Sequence, residues 1–136
     1  MAKVAVDPHS ARGETVLLVE DQMALRRVVR EVLEEYGYTV IEAGDVATAV
    51  RAATTHIGSI HLLLTDVLLP NGSGPELAER IAPLRPEARV LFMSGYADDA
   101  LLSGVSGTTA AFLAKPFTPD ALATSVRAVL DQGETG

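Results

Sequence analysis

Short apolar runs alternate along this chain with stretches in which apolar residues recur every three or four positions, a rhythm that begins near Thr15. Thr15 to Val19, Thr39 to Ala43, Leu62 to Thr65, Arg89 to Met93 and Ala111 to Leu113 have the length and aliphatic character of strands. Between the first two, Leu25, Val28, Val29, Val32, Leu33 and Tyr36 follow helical spacing, and Gly37 stands where a helix end favours positive φ. A second helix carries Val46, Ala49, Val50 and Ala53 on one face and starts after Asp45, whose carboxylate can cap it. A third begins around Gly74-Pro75, uses Leu77, Ala78 and Ile81, and ends near Pro83 and Pro86, where the backbone cannot continue an α-helix. The last has Thr118 as cap and Pro119 in its first turn, then buries Leu122, Val126, Val129 and Leu130 before Gly133 closes it. From Asp98 to Ala110, glycine, serine and threonine dilute the apolar cluster Ala100 to Leu102, so any helix there is short.

Strands alternating with helices imply right-handed βαβ units. The expected fold class is therefore α/β: a doubly wound, five-stranded parallel sheet with helices on both faces, which also accounts for strands that are apolar throughout. With 136 residues, one core is expected. Residues 1–14 mix Pro8, Gly13 and isolated charges without a sustained period and read as a leader or linker, flexible unless something docks on it. The folded domain is expected over residues 15–132, with a tail over 133–136.

Composition narrows the function. Apolar residues make up 48% and charged residues 21%, as in an ordinary globular protein. The absence of cysteine excludes a disulfide framework and thiolate chemistry and permits a reducing cytoplasm, the expected location. The apolar runs are too short to cross a bilayer, and the N-terminus lacks the apolar core of a signal peptide. A net charge of −7 opposes binding to a phosphate backbone, so nucleic acid is not an expected partner.

In an open parallel sheet, ligands bind beyond the carboxyl ends of the strands. Here those ends carry Glu20-Asp21, Asp66, Ser94-Gly95 and Lys115-Pro116. Carboxylates gathered on adjacent strand ends repel one another unless a cation neutralises them. Their hard oxygen donors suit magnesium, and His9, His56 and His61 are too scattered to act as ligands and read as surface or loop residues. A carboxylate can also accept a phosphoryl group when a metal and a fixed cation offset the charge, roles that Asp66, Lys115 and Ser94 would fit. Taken singly, each acid is as well explained as a loop cap and Lys115 as a surface ion pair; their coincidence favours the site.

The segments Leu17-Leu18-Val19-Glu20-Asp21, Leu64-Thr65-Asp66-Val67-Leu68-Leu69-Pro70 with Gly74 and Leu77, and Leu113-Ala114-Lys115-Pro116-Phe117 together resemble the response-regulator receiver domain of two-component signalling, from about Thr15 to Asp131. The resemblance implies a flavodoxin-like strand order 2-1-3-4-5 and Asp66 as phosphoacceptor. It also implies Mg2+ held by Asp21, Asp66 and the Leu68 carbonyl, with Glu20 acting through water. Ser94 and Lys115 would hold phosphoryl oxygens, Ser94 and Phe112 would form the conformational switch, and the Lys115-Pro116 bond would be cis. The implied partner is a histidine kinase or histidine phosphotransfer protein, in a phosphorelay where the domain assists its own phosphorylation without being an enzyme in the ordinary sense. Val90 to Ala97 is similar to receivers joined to hybrid histidine kinases. Leu68 and Tyr96 depart from residues that would orient attacking water, which implies slow loss of the phosphoryl group. Few charges in the expected fourth and fifth helices count against the salt-bridged dimer that the resemblance implies and leave the oligomeric state open.

Two other readings compete with this one. A receiver-like interaction module that is never phosphorylated would be expected to lack an acid or the lysine, and this chain has them all. A small α/β enzyme or flavin carrier would need a glycine-rich phosphate loop after the first strand, where Glu20-Asp21 stands instead.

Overall fold

The structure is a computed structural model that describes residues 8–95 and 111–132. Its main sheet contains β1 (Thr15–Val19), β2 (Thr39–Ala43), β3 (Leu62–Asp66), β6 (Arg89–Ser94) and β7 (Ala111–Ala114). All neighbours are parallel and the order is β2-β1-β3-β6-β7, the doubly wound order expected once a small hairpin is set aside. That hairpin pairs β4 (Leu68–Leu69) with β5 (Gly72–Ser73) across Pro70-Asn71 and was not anticipated, because two residues a side give no periodic signal. Among the described residues the helices are α1 (Met23–Glu35), α2 (Val46–Thr55), α3 (Gly74–Ile81) and α4 (Pro119–Asp131). The segment from Asp98 to Ala110, where a short helix was expected, lies outside the described residues, as do Tyr96 and Gly133.

Continuous apolar strands serve two cores because successive side chains point to opposite faces. Val16, Leu18, Leu62, Leu64, Leu91 and Met93 pack against Val29 and Leu33 of α1 and Leu122, Val126 and Val129 of α4. Leu17, Val19 and Leu63 face the other way, onto Ala49 and Ala53 of α2 and Leu77 and Ile81 of α3. Burying each large aliphatic side chain contributes roughly 1.5–3 kcal/mol, so these two layers supply most of the driving force for folding.

Three helix starts are capped, two of them by the residues the sequence points to, Asp45 and Thr118, and the third by Ser73, which was not anticipated. Asp45 accepts from Thr48 N at 2.8 Å, Ser73 from Glu76 N at 3.2 Å and Thr118 from Ala121 N at 3.0 Å. Gly37 closes α1 with φ +96°, and its N–H donates to the Glu34 carbonyl. One expectation fails: Val28, assigned to the buried face of α1, is 54% exposed. It lies one residue, about 100° of helical rotation, before Val29, and the buried stripe is too narrow to include it.

The segment before β1 is not free. From Ser10 to Glu14 it is held at the amino ends of the strands by a buried polar cluster around Arg127. The Arg127 guanidinium donates to Glu14 Oε2 at 2.7 Å, Glu14 Oε1 at 3.3 Å, Tyr38 Oη at 3.3 Å, the Ser10 carbonyl at 3.1 Å and Asp131 at 3.1 Å. Ala11 N adds a bond to the Tyr36 carbonyl. Composition alone suggested a leader because the docking partner, Arg127, lies far along the chain. Burial would raise the Glu14 carboxyl, but bonds from Arg127 and from Arg12 N outweigh it and hold its pKa below the usual value. The Glu14 contribution is therefore present above pH of about 4 and lost as pH falls through the depressed value.

Breaking a buried charge pair by removing one partner costs roughly 3–5 kcal/mol. Arg127→Met should lower the unfolding free energy by about 3 kcal/mol, read as a lower urea midpoint at pH 7 with the slope unchanged.

Candidate functional site

The polar residues expected to converge do so at the carboxyl ends of the strands. β3 is the central strand, fully buried, and its last residue Asp66 is only 4% exposed. Glu20, the first residue past β1, is held as firmly: its N–H donates to the Ala43 carbonyl at 3.1 Å, and its side chain is 1% exposed. Lys115 follows β7, with its N–H on the Ser94 carbonyl at 2.9 Å and a cis bond to Pro116. Asp21 completes the acidic set from an exposed position in the β1–α1 turn.

Carboxylate oxygens of Glu20, Asp21 and Asp66 lie within 4.8 Å of one another. Lys115 Nζ stands 2.5 Å from Asp66 Oδ1 and 3.2 Å from Glu20 Oε1, while Gln22 N donates to Glu20 Oε2 at 3.0 Å. An open cavity lined by Glu20, Asp21, Gln22, Asp66, Leu68, Gly95 and Lys115 gives solvent access.

The backbone around Asp66 is as constrained as its side chain. Val67 N donates to the Met93 carbonyl at 3.1 Å, and Gly74 N to the Val67 carbonyl at 2.7 Å, bringing α3 against the end of β3. A Cβ on residue 74 would lie 2.2 Å from the Asp66 carbonyl oxygen, so only glycine permits that approach.

Two buried carboxyls sharing one ammonium cannot both be ionised cheaply. Burial, then the hydrogen-bonded Glu20 carboxyl, pushes Asp66 up to about 8 against the opposing pull of Lys115. Burial also acts to raise Glu20, but its bonds to Asp66, Gln22 N and Lys115 prevail and lower it. Burial acts to lower Lys115, and the two carboxylates more than reverse that. The arrangement therefore favours a shared proton on the carboxyl pair, with Asp66 the member whose carboxyl is raised and Glu20 the one lowered. A hard divalent cation would neutralise the same charge, and an all-oxygen donor set of three carboxylates matches magnesium chemistry.

The other expected residues are near but less engaged. Leu68 rims the cavity and is 52% exposed. Ser94 ends β6 half-buried, beside but outside the cavity lining. Phe112 is 45% exposed on β7 and stacks on buried Phe92, with ring centroids 5.6 Å apart. Gln22 was not singled out from sequence because it contributes a backbone N–H. The three histidines stay away from the cavity; His61 Nδ1 accepts from Thr15 N at 2.9 Å.

The response regulator receiver domain model matches residues 16–127. The chain belongs to this family. Among its relatives are the sensor kinase CckA of Brucella abortus, 35% identical over 119 residues that cover 87% of this chain, and the receiver protein CpdR of the same organism, 35% identical over 103 residues covering 75% of this chain. The receiver spans 13% of the CckA length and 84% of CpdR. The crystal structure of the receiver domain from hybrid histidine kinase CckA is 33% identical and superposes with a TM-score of 0.72, covering 85% of this chain and 98% of that one. A CheY-like receiver from Methanospirillum hungatei is 28% identical with a TM-score of 0.77, covering 90% and 97%. The receiver is thus a two-component signalling domain, a class whose partners are kinases or phosphotransfer proteins, and not a conventional enzyme.

The raised Asp66 value has a consequence for stability. Between its ordinary value of about 4 and the folded value of about 8, the folded receiver binds more protons than the unfolded chain, so stability falls as pH rises through that window. Asp66→Asn removes the penalty. In EDTA it should be more stable than wild type by roughly 1–3 kcal/mol at pH 8.5, with the gain shrinking towards pH 5, as followed by urea denaturation at each pH.

Proposed function

We propose that this receiver accepts a phosphoryl group on Asp66 from a histidine kinase or histidine phosphotransfer protein and answers with a change of conformation. The observation that carries the reading is the meeting of three carboxylates within 4.8 Å with the Lys115 ammonium 2.5 Å from Asp66 Oδ1. Glu20, Asp21, Asp66 and the Leu68 carbonyl would hold Mg2+, which when bound neutralises the acids and the developing charge on the phosphoryl oxygens. The Asp66 carboxylate forms the new P–O bond as the donor's P–N bond breaks, and the proton Asp66 gives up is taken by the leaving imidazole nitrogen. The Lys115 ammonium then passes from an Asp66 oxygen to a phosphoryl oxygen, and the Ser94 hydroxyl donates to another.

The same charge supplies the switch. Drawing Ser94 towards the phosphoryl group would vacate space beside β7 into which Phe112, now half outside the core, can turn. This is a two-state packing change biased by a local electrostatic event. The domain assists the transfer and the later hydrolysis of its own phosphoryl group without turning over a separate substrate. A cytoplasmic setting belongs to this reading and is compatible with a chain that lacks cysteine.

Incubation with Mg2+ and acetyl phosphate should add one phosphoryl mass to the intact wild-type chain and none to Asp66→Ala; an adduct on both, or on neither, would count against Asp66. Leu68, apolar at the cavity rim, gives attacking water nothing to bond to. Leu68→Asn supplies an amide there and should shorten the phospho-aspartate lifetime by about tenfold, timed by loss of the adduct after the donor is removed.

A further inference from the structure

The β1–α1 turn must hold Glu20 and Asp21 in place although Asp21 is exposed and Gln22, at the N-cap of α1, makes no side-chain capping bond. The turn is secured instead by one side chain from the first turn of α1. Arg26 Nη1 donates to the Glu20 carbonyl at 2.9 Å, and its Nε donates to Glu42 Oε1 on β2 at 3.2 Å. Glu42 is fixed from its other oxygen by Arg30 Nη1 at 2.8 Å. Both backbone groups of Glu20 are thereby bound, its N–H by the Ala43 carbonyl and its carbonyl by Arg26. The guanidinium passes close over Gly44, where a Cβ would lie 2.9 Å from Nη1.

We propose that Arg26 is a positioning residue for the acidic pair: it braces the β1–α1 turn against β2 so that the Glu20 and Asp21 carboxylates are preorganised for the divalent cation. This inference rests on the reading of the site as a magnesium-dependent phosphoacceptor. Arg26 itself is not among the residues that line the cavity. A planar guanidinium suits the task because it donates to a backbone carbonyl and a carboxylate at once, whereas an ammonium is a point donor.

Electrostatics and positioning predict opposite signs, which makes the role testable. Removing a cation near an acidic pocket should, by Coulomb attraction alone, tighten Mg2+ binding. Loss of a group that orients ligands should weaken it, by about tenfold where such a group matters. Gly44→Ala separates the two effects further, since it crowds the guanidinium away from its place while leaving every charge intact.

The test is Mg2+ titration by calorimetry on wild type, Arg26→Met, Arg26→Lys and Gly44→Ala, with thermal unfolding in EDTA to verify that each variant is folded at the titration temperature. The expected result is about tenfold weaker binding in Arg26→Met, partial recovery in Arg26→Lys, and a smaller loss in the same direction in Gly44→Ala. Unchanged or tighter binding in Arg26→Met, with wild type binding normally, overturns the positioning role and leaves the phosphoacceptor reading standing. Absence of Mg2+ binding by wild type overturns both.

Discussion

A buried carboxylate set between an ammonium and a second carboxylate is the arrangement on which this molecule turns. An isolated ionised acid at the depth of Asp66 would be strongly disfavoured, and Lys115 at 2.5 Å makes it tolerable without making it neutral. One ammonium faces three carboxylates, so the site retains an excess of negative charge that only a proton or another cation can remove. A proton on Asp66 and a divalent ion would therefore compete for the same place.

Holding such a site requires rigidity that the acids themselves cannot provide. Asp66 ends the strand at the middle of the sheet, flanked on both sides by hydrogen-bonded neighbours and covered on both faces by aliphatic layers. Gly74 lets α3 approach until backbone meets backbone, which fixes the exit of the chain from Asp66. At the opposite end of the strands a second polar cluster, around Arg127 and Glu14, is buried and fully paired. Its bonds join the segment before β1, the start of β2 and the last helix, so it works as a lock, whereas the cluster at the carboxyl ends is under-neutralised and open to solvent.

The two ends differ equally in how far the sequence discloses them. The site was legible because each of its charged residues directly follows an apolar run, and in a parallel sheet the ends of such runs share one edge; Glu20, Asp21, Asp66 and Lys115 are found together for that reason. The strands and the caps Asp45 and Thr118 were legible from alternation and cap chemistry, whereas Ser73 was passed over for the Gly74-Pro75 pair beside it. The lock was not, because Glu14 and Arg127 are joined over 113 positions and neither belongs to a local pattern. Val28 was misplaced because a stripe of six apolar positions is wider than the face α1 actually buries. The β4–β5 hairpin escaped for lack of length, and the contribution of Gln22 because backbone donors have no signature in a sequence.

Lys115 is asked to do two things that cannot be done at once. In the structure its ammonium is committed to Asp66 and Glu20; in the proposed phosphorylated form it must face a phosphoryl oxygen. That transfer of partner is favourable only if the phosphoryl group offers at least the charge that Asp66 offered, and a phosphoryl group, with up to two negative charges near neutral pH, offers more than one carboxylate. In the proposed form the ammonium would thus follow the negative charge outward from the carboxylate to the phosphoryl oxygens. Since Lys115 N remains bound to the Ser94 carbonyl at 2.9 Å, a shift at the tip of the side chain and a shift at the end of β6 share one backbone link. In the proposed function, phosphorylation chemistry and conformational response would be two consequences of a single redistribution of charge at the ends of β3, β6 and β7.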